Sequence, residues 1–437
     1  MRKICNLILF AALYAFSAAS NPFPQLNNYG KDYFNDSMIS DYNLYAESKI
    51  NTESIEHFRK WLQQHPQIKQ ALLAAMYPDF NFEVIEYFNQ LHLKFEESVE
   101  KYPHLALAFS VVYGNAKAKD EDFRPKFLQW WVGKNRDVPS CEDSFIYYIN
   151  NHDKMLYLLD HFSWPLLLYV ADNDIPLQER DWVLNKYKDS AIENLNRLYG
   201  TIKHNGGALA YTTAKSQEAG TPMALNQIFT DGGVCSQQAY YSSRVCKTLG
   251  VPSIRLLQPG HAFTAWTQGD RRFVTKYKGD HTSRKYEYFF NPNLRVNNDG
   301  YEFQMLASAM NLSYESYCKS KIASFVFENL PENSKKQAQG LLDIAIENNC
   351  YVVDTWLLYA KACKNGIFCQ GTALELYDKA EKLIPEFPEL LCHILNEITL
   401  ADLTAEKQKQ ISIKFNNTLA HLTKKNRPNL AYKVYRT

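Results

Sequence analysis

Residues 232–266 constrain this chain more than any other segment. Gly232-Gly233-Val234-Cys235 is followed by thirteen residues and Leu249 with no Gly or Pro, then by Gly250-Val251-Pro252. This spacing predicts a helix opened by Cys235 and closed by Gly250 at the C′ position, with proline shortly after it. Ser253–Leu257 and His261–Thr267 then alternate as strands do, with Pro259-Gly260 between them. A thiol at a helix N-terminus faces unsatisfied amides and the positive end of the helix dipole, which favour thiolate. The same amides can receive an oxyanion. This order of elements lets a thiol and an imidazole meet at one edge of a sheet, as a cysteine nucleophile and its base require. Cys246 is the contrast: it lies three turns along the same helix and reads as core or disulfide.

A third group is needed to orient the imidazole. Gly269-Asp270 reads as a two-residue hairpin turn, which sets Gln268 against Arg271 and His261 against Lys278. Asp280 then shares the His261 face, one diagonal step away, and is the first candidate. Asn291, in Phe289-Phe290-Asn291-Pro292, is the rival. Asn226 and Gln227, shortly before the thiol, are candidates for a side-chain oxyanion donor.

This constellation resembles the transglutaminase-like superfamily, whose core is papain-like. The resemblance rests on Gly-Gly-Val-Cys at 232–235, Leu-Gly-Val-Pro at 249–252, the strand through Arg255, and Gly-His-Ala at 260–262. It implies an α+β fold in which the helix carrying Cys235 packs on a small antiparallel sheet. It also implies a catalytic triad of Cys235, His261 and Asp280. The implied activity is thioester chemistry on a peptide or amide bond, with no cofactor and no metal. The family's third residue is often followed by proline. Here Asp280 is followed by His281, and the proline follows Asn291 instead.

The flanks read as helical. Ile55, Phe58, Trp61 and Leu62 recur at helical spacing, as do Leu72, Leu73 and Met76. We therefore expect an N-terminal helical region over 21–200, a catalytic domain over 201–311 and a C-terminal helical region over 312–437. In the last region Ala373, Tyr377, Ala380 and Pro385 follow a tetratricopeptide pattern, with Trp356 and Tyr359 near the first-helix positions. Met155–Ala171 is apolar, but Asp160, His161 and Pro165 interrupt it, so we read a buried helix pair broken at Pro165.

The N-terminus reads as a secretory signal over 1–20: Arg2 and Lys3, the apolar stretch Cys5–Phe16, then Ser17-Ala18-Ala19-Ser20. It implies a secreted or periplasmic protein with no transmembrane anchor once cleaved. Eight cysteines follow it, and Cys363 and Cys369 flank Gly366 closely enough for a small disulfide loop. Lys plus Arg is 48 against 47 Asp plus Glu, which argues against a nucleic-acid partner. The expected partner is a protein or peptide substrate, with cell-wall peptides among the candidates. The competing expectation is a scaffold that has lost turnover and binds proteins through its helices.

Overall fold

The computed structural model describes residues 56–78, 80–119, 123, 137–187, 189–204, 224–258, 261–268, 272–274, 288–397 and 404–424. The signal segment 1–20 and Asp280 lie outside them. The chain divides into two compact units: Asn81–Asn311, and Leu312–Ala420 together with the residues up to Phe80. The expected boundary at residue 200 therefore does not separate two units. Helices from Asn81 onward belong with the sheet, while those before Phe80 belong with the C-terminal helices. The class is α+β.

The sheet-bearing unit begins with α1 (Phe82–Lys94) and α2 (Pro103–Ala118), which pack on each other. Proline suits the first turn of α2, where its missing N–H leaves nothing unsatisfied. α3 (Cys141–Asn150), α4 (Trp164–Ala171) and α5 (Leu177–Tyr187) follow. Pro165 starts α4 instead of breaking a helix pair: it sits in the first turn, and every residue of α4 is buried. No helix among the described residues is long and apolar enough to cross a membrane.

After α6 (Leu225–Asp231) comes α7, Cys235–Thr248, with the bounds that its glycines and proline set. Its C-terminus is a Schellman motif. Val251 N–H donates to Cys246 O at 2.9 Å, and Gly250 N–H donates to Lys247 O at 3.0 Å. Gly250 has φ +74°, and a Cβ there would lie 3.2 Å from the Met155 Cβ. Gly250→Ala is expected to cost about 1–2 kcal/mol. Urea denaturation of the full chain measures it; an unchanged midpoint would show that the cap carries no strain.

α7 is polar in composition yet buried from Ser236 to Thr248. Buried polar groups need partners, and most of those on α7 have them, Ser236 Oγ being an exception among the described residues. Gln238 Nε2 donates to Ile202 O at 2.8 Å. Thr264 Oγ1 donates to Ala239 O at 3.0 Å, and Ser253 Oγ to Ser243 O at 2.8 Å. Asn173 Nδ2 donates to Thr248 Oγ1 at 3.0 Å. The contacts to Thr264 and then Ser253 show that α7 runs along the sheet from the end where its second strand begins.

The sheet has five strands in the order β3-β2-β1-β4-β5, with every pairing antiparallel. They are β1 (Ser253–Gln258), β2 (His261–Gln268), β3 (Arg272–Val274), β4 (Tyr288–Asn291) and β5 (Val296–Asp299). β1 and β2 pair from Ser253↔Trp266 to Gln258↔His261. β2 and β3 pair as Gln268↔Arg272 and Trp266↔Val274. Three residues link these strands, not the expected two, so Gly269-Asp270 lies within a longer connection. A one-residue change of register exchanges the two faces of a strand. The parity that placed Asp280 on the His261 face therefore loses its basis. α8 (Gly300–Leu312) closes this part of the chain.

In the other unit Tyr314–Asn329 packs on Pro66–Ala75, Gln339–Asn348 and Val353–Lys364. Val353–Lys364 packs in turn on Gln370–Leu383, and that helix on Pro388–Asn396. Of the residues of the repeat-like pattern, Trp356, Tyr359, Ala373, Tyr377 and Ala380 are buried and Pro385 is exposed. Cys363 and Cys369 are free thiols.

Candidate functional site

The backbone before Cys235 is placed by two glycines. Gly232 has φ +79°, and a Cβ there would lie 2.5 Å from Lys203 O. Gly233 N–H donates to that same carbonyl at 3.0 Å. A Cβ on Gly233 would meet the Gln237 Cβ at 2.6 Å. Gln237 turns back, and its Oε1 accepts from Val234 N–H at 3.2 Å. Only glycine lets this turn lie so close to Lys203 and Gln237.

Cys235 is half-buried at the first position of α7. It packs against a cluster of Ala239, Leu257 and Ala262, with Tyr199 and Tyr288 beside it. The first-turn amides of α7 have no acceptor one turn back, so they face outward at the positive helix end. Cys246, by contrast, is fully buried, and burial pushes its thiol well up.

His261 is the first residue of β2 and is also half-buried. Its neighbour Ala262 touches the Cys235 cluster, so both residues lie at the same end of the sheet. Strand alternation assigns them different faces. Leu257, Ala262 and Thr264 meet α7. The His261 ring stacks along Phe263, on the other face, with centroids 6.1 Å apart and planes 16° apart. Tyr199 connects the two sides. Its hydroxyl donates to Ala262 O at 2.9 Å, and its ring meets His261 edge-on at 6.3 Å.

The rival orienter, Asn291, is not brought to this place. Leu257 pairs with Tyr288. Continuing antiparallel, Asn291 lies three residues farther on, about 10 Å along the strand, and β1 stands between β4 and β2. Its Oδ1 is engaged in a turn, accepting from Asn293 N–H at 2.9 Å and Leu294 N–H at 3.2 Å. The Asx turn, not a strand continuing alongside His261, explains the Asn-Pro signal. Asn226 and Gln227 are exposed on α6, a helix and not a loop, and the Gln227 N–H donates to Asn226 Oδ1 at 2.9 Å. Among the described residues no group of three or more His, Cys, Asp or Glu is placed to hold a metal.

The side of α7 that meets α4 and the segment after it carries charges that the local sequence pattern does not reveal. Arg244 Nε donates to Asp174 Oδ1 at 2.6 Å, and the Tyr240 hydroxyl donates to the same oxygen at 3.2 Å. The Arg244 guanidinium lies 4.7 Å over the Tyr240 ring. Burial works against its charge, but Asp174 and Tyr240 outweigh burial and hold the proton more firmly than usual. Lys247 donates to Asp172 and, at 2.8 Å, to Tyr169 O. Burial brings this ammonium down to about 8, with Asp172 opposing the fall. Arg255, on β1, shares the helix-facing side with Ser253 and Leu257 and, among the described residues, has no such carboxylate. The available signal was its parity: a cation alternating with Ser253 and Leu257 must point at α7 if they do. Comparison with protein-family models, with curated proteins and with solved structures finds no match.

Proposed function

We propose that this chain is a transglutaminase-like cysteine enzyme that cleaves peptide or amide bonds through a thioester, with water favoured over an amine as the acceptor. One observation carries the reading: a half-buried cysteine opens a long helix packed on a sheet, at the end where β2 starts with histidine. In this mechanism His261 takes the Cys235 proton as sulfur bonds to the amide carbonyl. The oxyanion meets the first-turn amides of α7. Collapse breaks the C–N bond, and the imidazolium gives its proton to the departing amine. Water, deprotonated by His261, then attacks the thioester, releasing a carboxylic acid and restoring the thiol. His261 reaches the thiol by rotating its side chain from Phe263 around the strand end, past Tyr199. Catalytic contacts commonly tighten only once substrate is bound. Export belongs to this proposal through the signal-like segment 1–20, and Asp280 through the resemblance alone.

A panel of peptide amides and cell-wall peptides tests the reading. Wild-type chain is expected to release amine and acid, and Cys235→Ala to release neither. Equal release by both proteins would remove Cys235 from the chemistry. The second reading is a protein-binding scaffold without turnover. The stacking of His261 on Phe263, away from α7, is what favours it. A wild-type chain inert toward every amide, with Cys235 as slow toward iodoacetamide as a buried thiol, would be its signature.

A further inference from the structure

Among the described residues, three buried cations and two carboxylates gather where α7, β1 and the segment after α4 meet. Arg244 is paired with Asp174 and Lys247 with Asp172. Arg255 is left over. The residue is 7% exposed, and among the described residues Nε, Nη1 and Nη2 have no hydrogen-bond partner. Burial and the neighbouring Arg244 bring its guanidinium down to about 10, so it stays cationic at neutral pH, while Tyr288, Tyr240 and Cys235 act in the opposite sense. A buried, unpaired guanidinium is costly, and unmade bonds to a charged group raise that cost.

Space lies beside it. A cavity of ≈ 30 Å³ is lined by Arg255, Arg244, Lys247, Asp172, Leu257 and Phe290. That is room for about two water-sized atoms. Leu257 also belongs to the cluster that Cys235 packs against, so thiol and cavity border the same group of side chains. We propose that Arg255 anchors a carboxylate-binding subsite next to Cys235. A carboxylate offers two coplanar oxygens to the guanidinium fork. A phosphate carries more oxygens than the cavity admits, and its second charge would face Asp172. As a statement about substrate this rests on the thioester reading, and it narrows that reading to amides bearing a carboxylate near the scissile bond.

Two measurements on the full chain separate the parts. The first is melting in glutarate against chloride at equal ionic strength, for wild type, Arg255→Met and Arg255→Lys. Wild type is expected to rise saturably, by about 4 °C at ten times the Kd. Arg255→Met is expected to melt at or above wild type without glutarate and not to respond to it. Arg255→Lys keeps the charge and is expected to respond weakly. A flat wild type, as a merely hydrated cavity would give, overturns the subsite, as does an undiminished response in Arg255→Met. The second compares hydrolysis of an acidic peptide with that of its neutral amide. The wild-type preference for the acid is expected to fall at least about tenfold in Arg255→Met, chiefly through KM. An unchanged preference overturns the substrate assignment. A glutarate response in a chain whose Cys235 is unreactive supports the subsite and removes the enzyme reading.

Discussion

His261→Ala is expected to lower amide turnover by about 10²–10⁴-fold, the range for removing a positioned general base. The imidazole has two tasks in the proposed sequence, taking the thiol proton and giving it to the leaving amine, and neither Phe263 nor Tyr199 can do both. Alkylation of Cys235 by iodoacetamide near neutral pH is expected to slow in the same variant. Steady-state hydrolysis, read beside far-UV circular dichroism to show that the fold persists, provides the measurement. Asn291→Ala is the control. Asn291 holds its own turn two strands away from His261, so its loss is expected to leave the rate unchanged. Asp280→Ala belongs in the same series, with a fall in rate expected from the family resemblance. Retention of most activity by His261→Ala would sink the acid–base assignment, because the ring would then be only a packing partner of Phe263.

Asp174→Ala is expected to destabilise the chain by about 3–5 kcal/mol, the scale for leaving a buried charge without its partner. Asp174 is 2% exposed, and one of its oxygens serves both Arg244 and Tyr240. Once the carboxylate is gone, Arg244 keeps its 3.1 Å bond to Ser243 Oγ but no anion of its own. Water cannot replace the carboxylate there without opening the contact between α7 and the segment after α4. Urea denaturation reads the loss. The double replacement Asp174→Leu with Arg244→Met is expected to recover most of it, since exchanging both members of a buried pair for apolar groups is often near neutral. If the single and double replacements are equally unstable, the pair contributes through shape and not through charge.

The local elements were legible because their signals are local. Gly250 had to end α7, since a left-handed C′ residue excludes most side chains, and the Schellman bonds are there. Ser253–Leu257 and Ala262–Thr267 are buried on both faces, and their alternation marks which residues, Ser253, Arg255 and Thr264 among them, turn toward α7. Other signals were local but ambiguous. Gly269-Asp270 suits a two-residue turn, yet Gln268 pairs with Arg272 and three residues intervene. Pro165 signals a helix break and a helix start alike, and α4 uses it as a start. Asn291-Pro292 read as the end of a strand near the imidazole, but the Asx turn holds it elsewhere. The division into units was hidden for another reason: helices before Phe80 pack with helices beyond Leu312, and sequence distance gives no sign of it.

By itself, the sequence determined that Cys235 begins a helix and His261 a strand. Backbone geometry, glycine freedom and proline's missing donor act within a few residues. Only the tertiary structure decided that Asp174 takes Arg244, that Asp172 takes Lys247, and that Arg255 is buried with no hydrogen-bond partner among the described residues. Charges meet across elements that the chain separates by seventy residues or more, and which pairs form depends on how α7 lies on the sheet. Coulomb attraction and desolvation act through space, so no run of neighbouring residues records them.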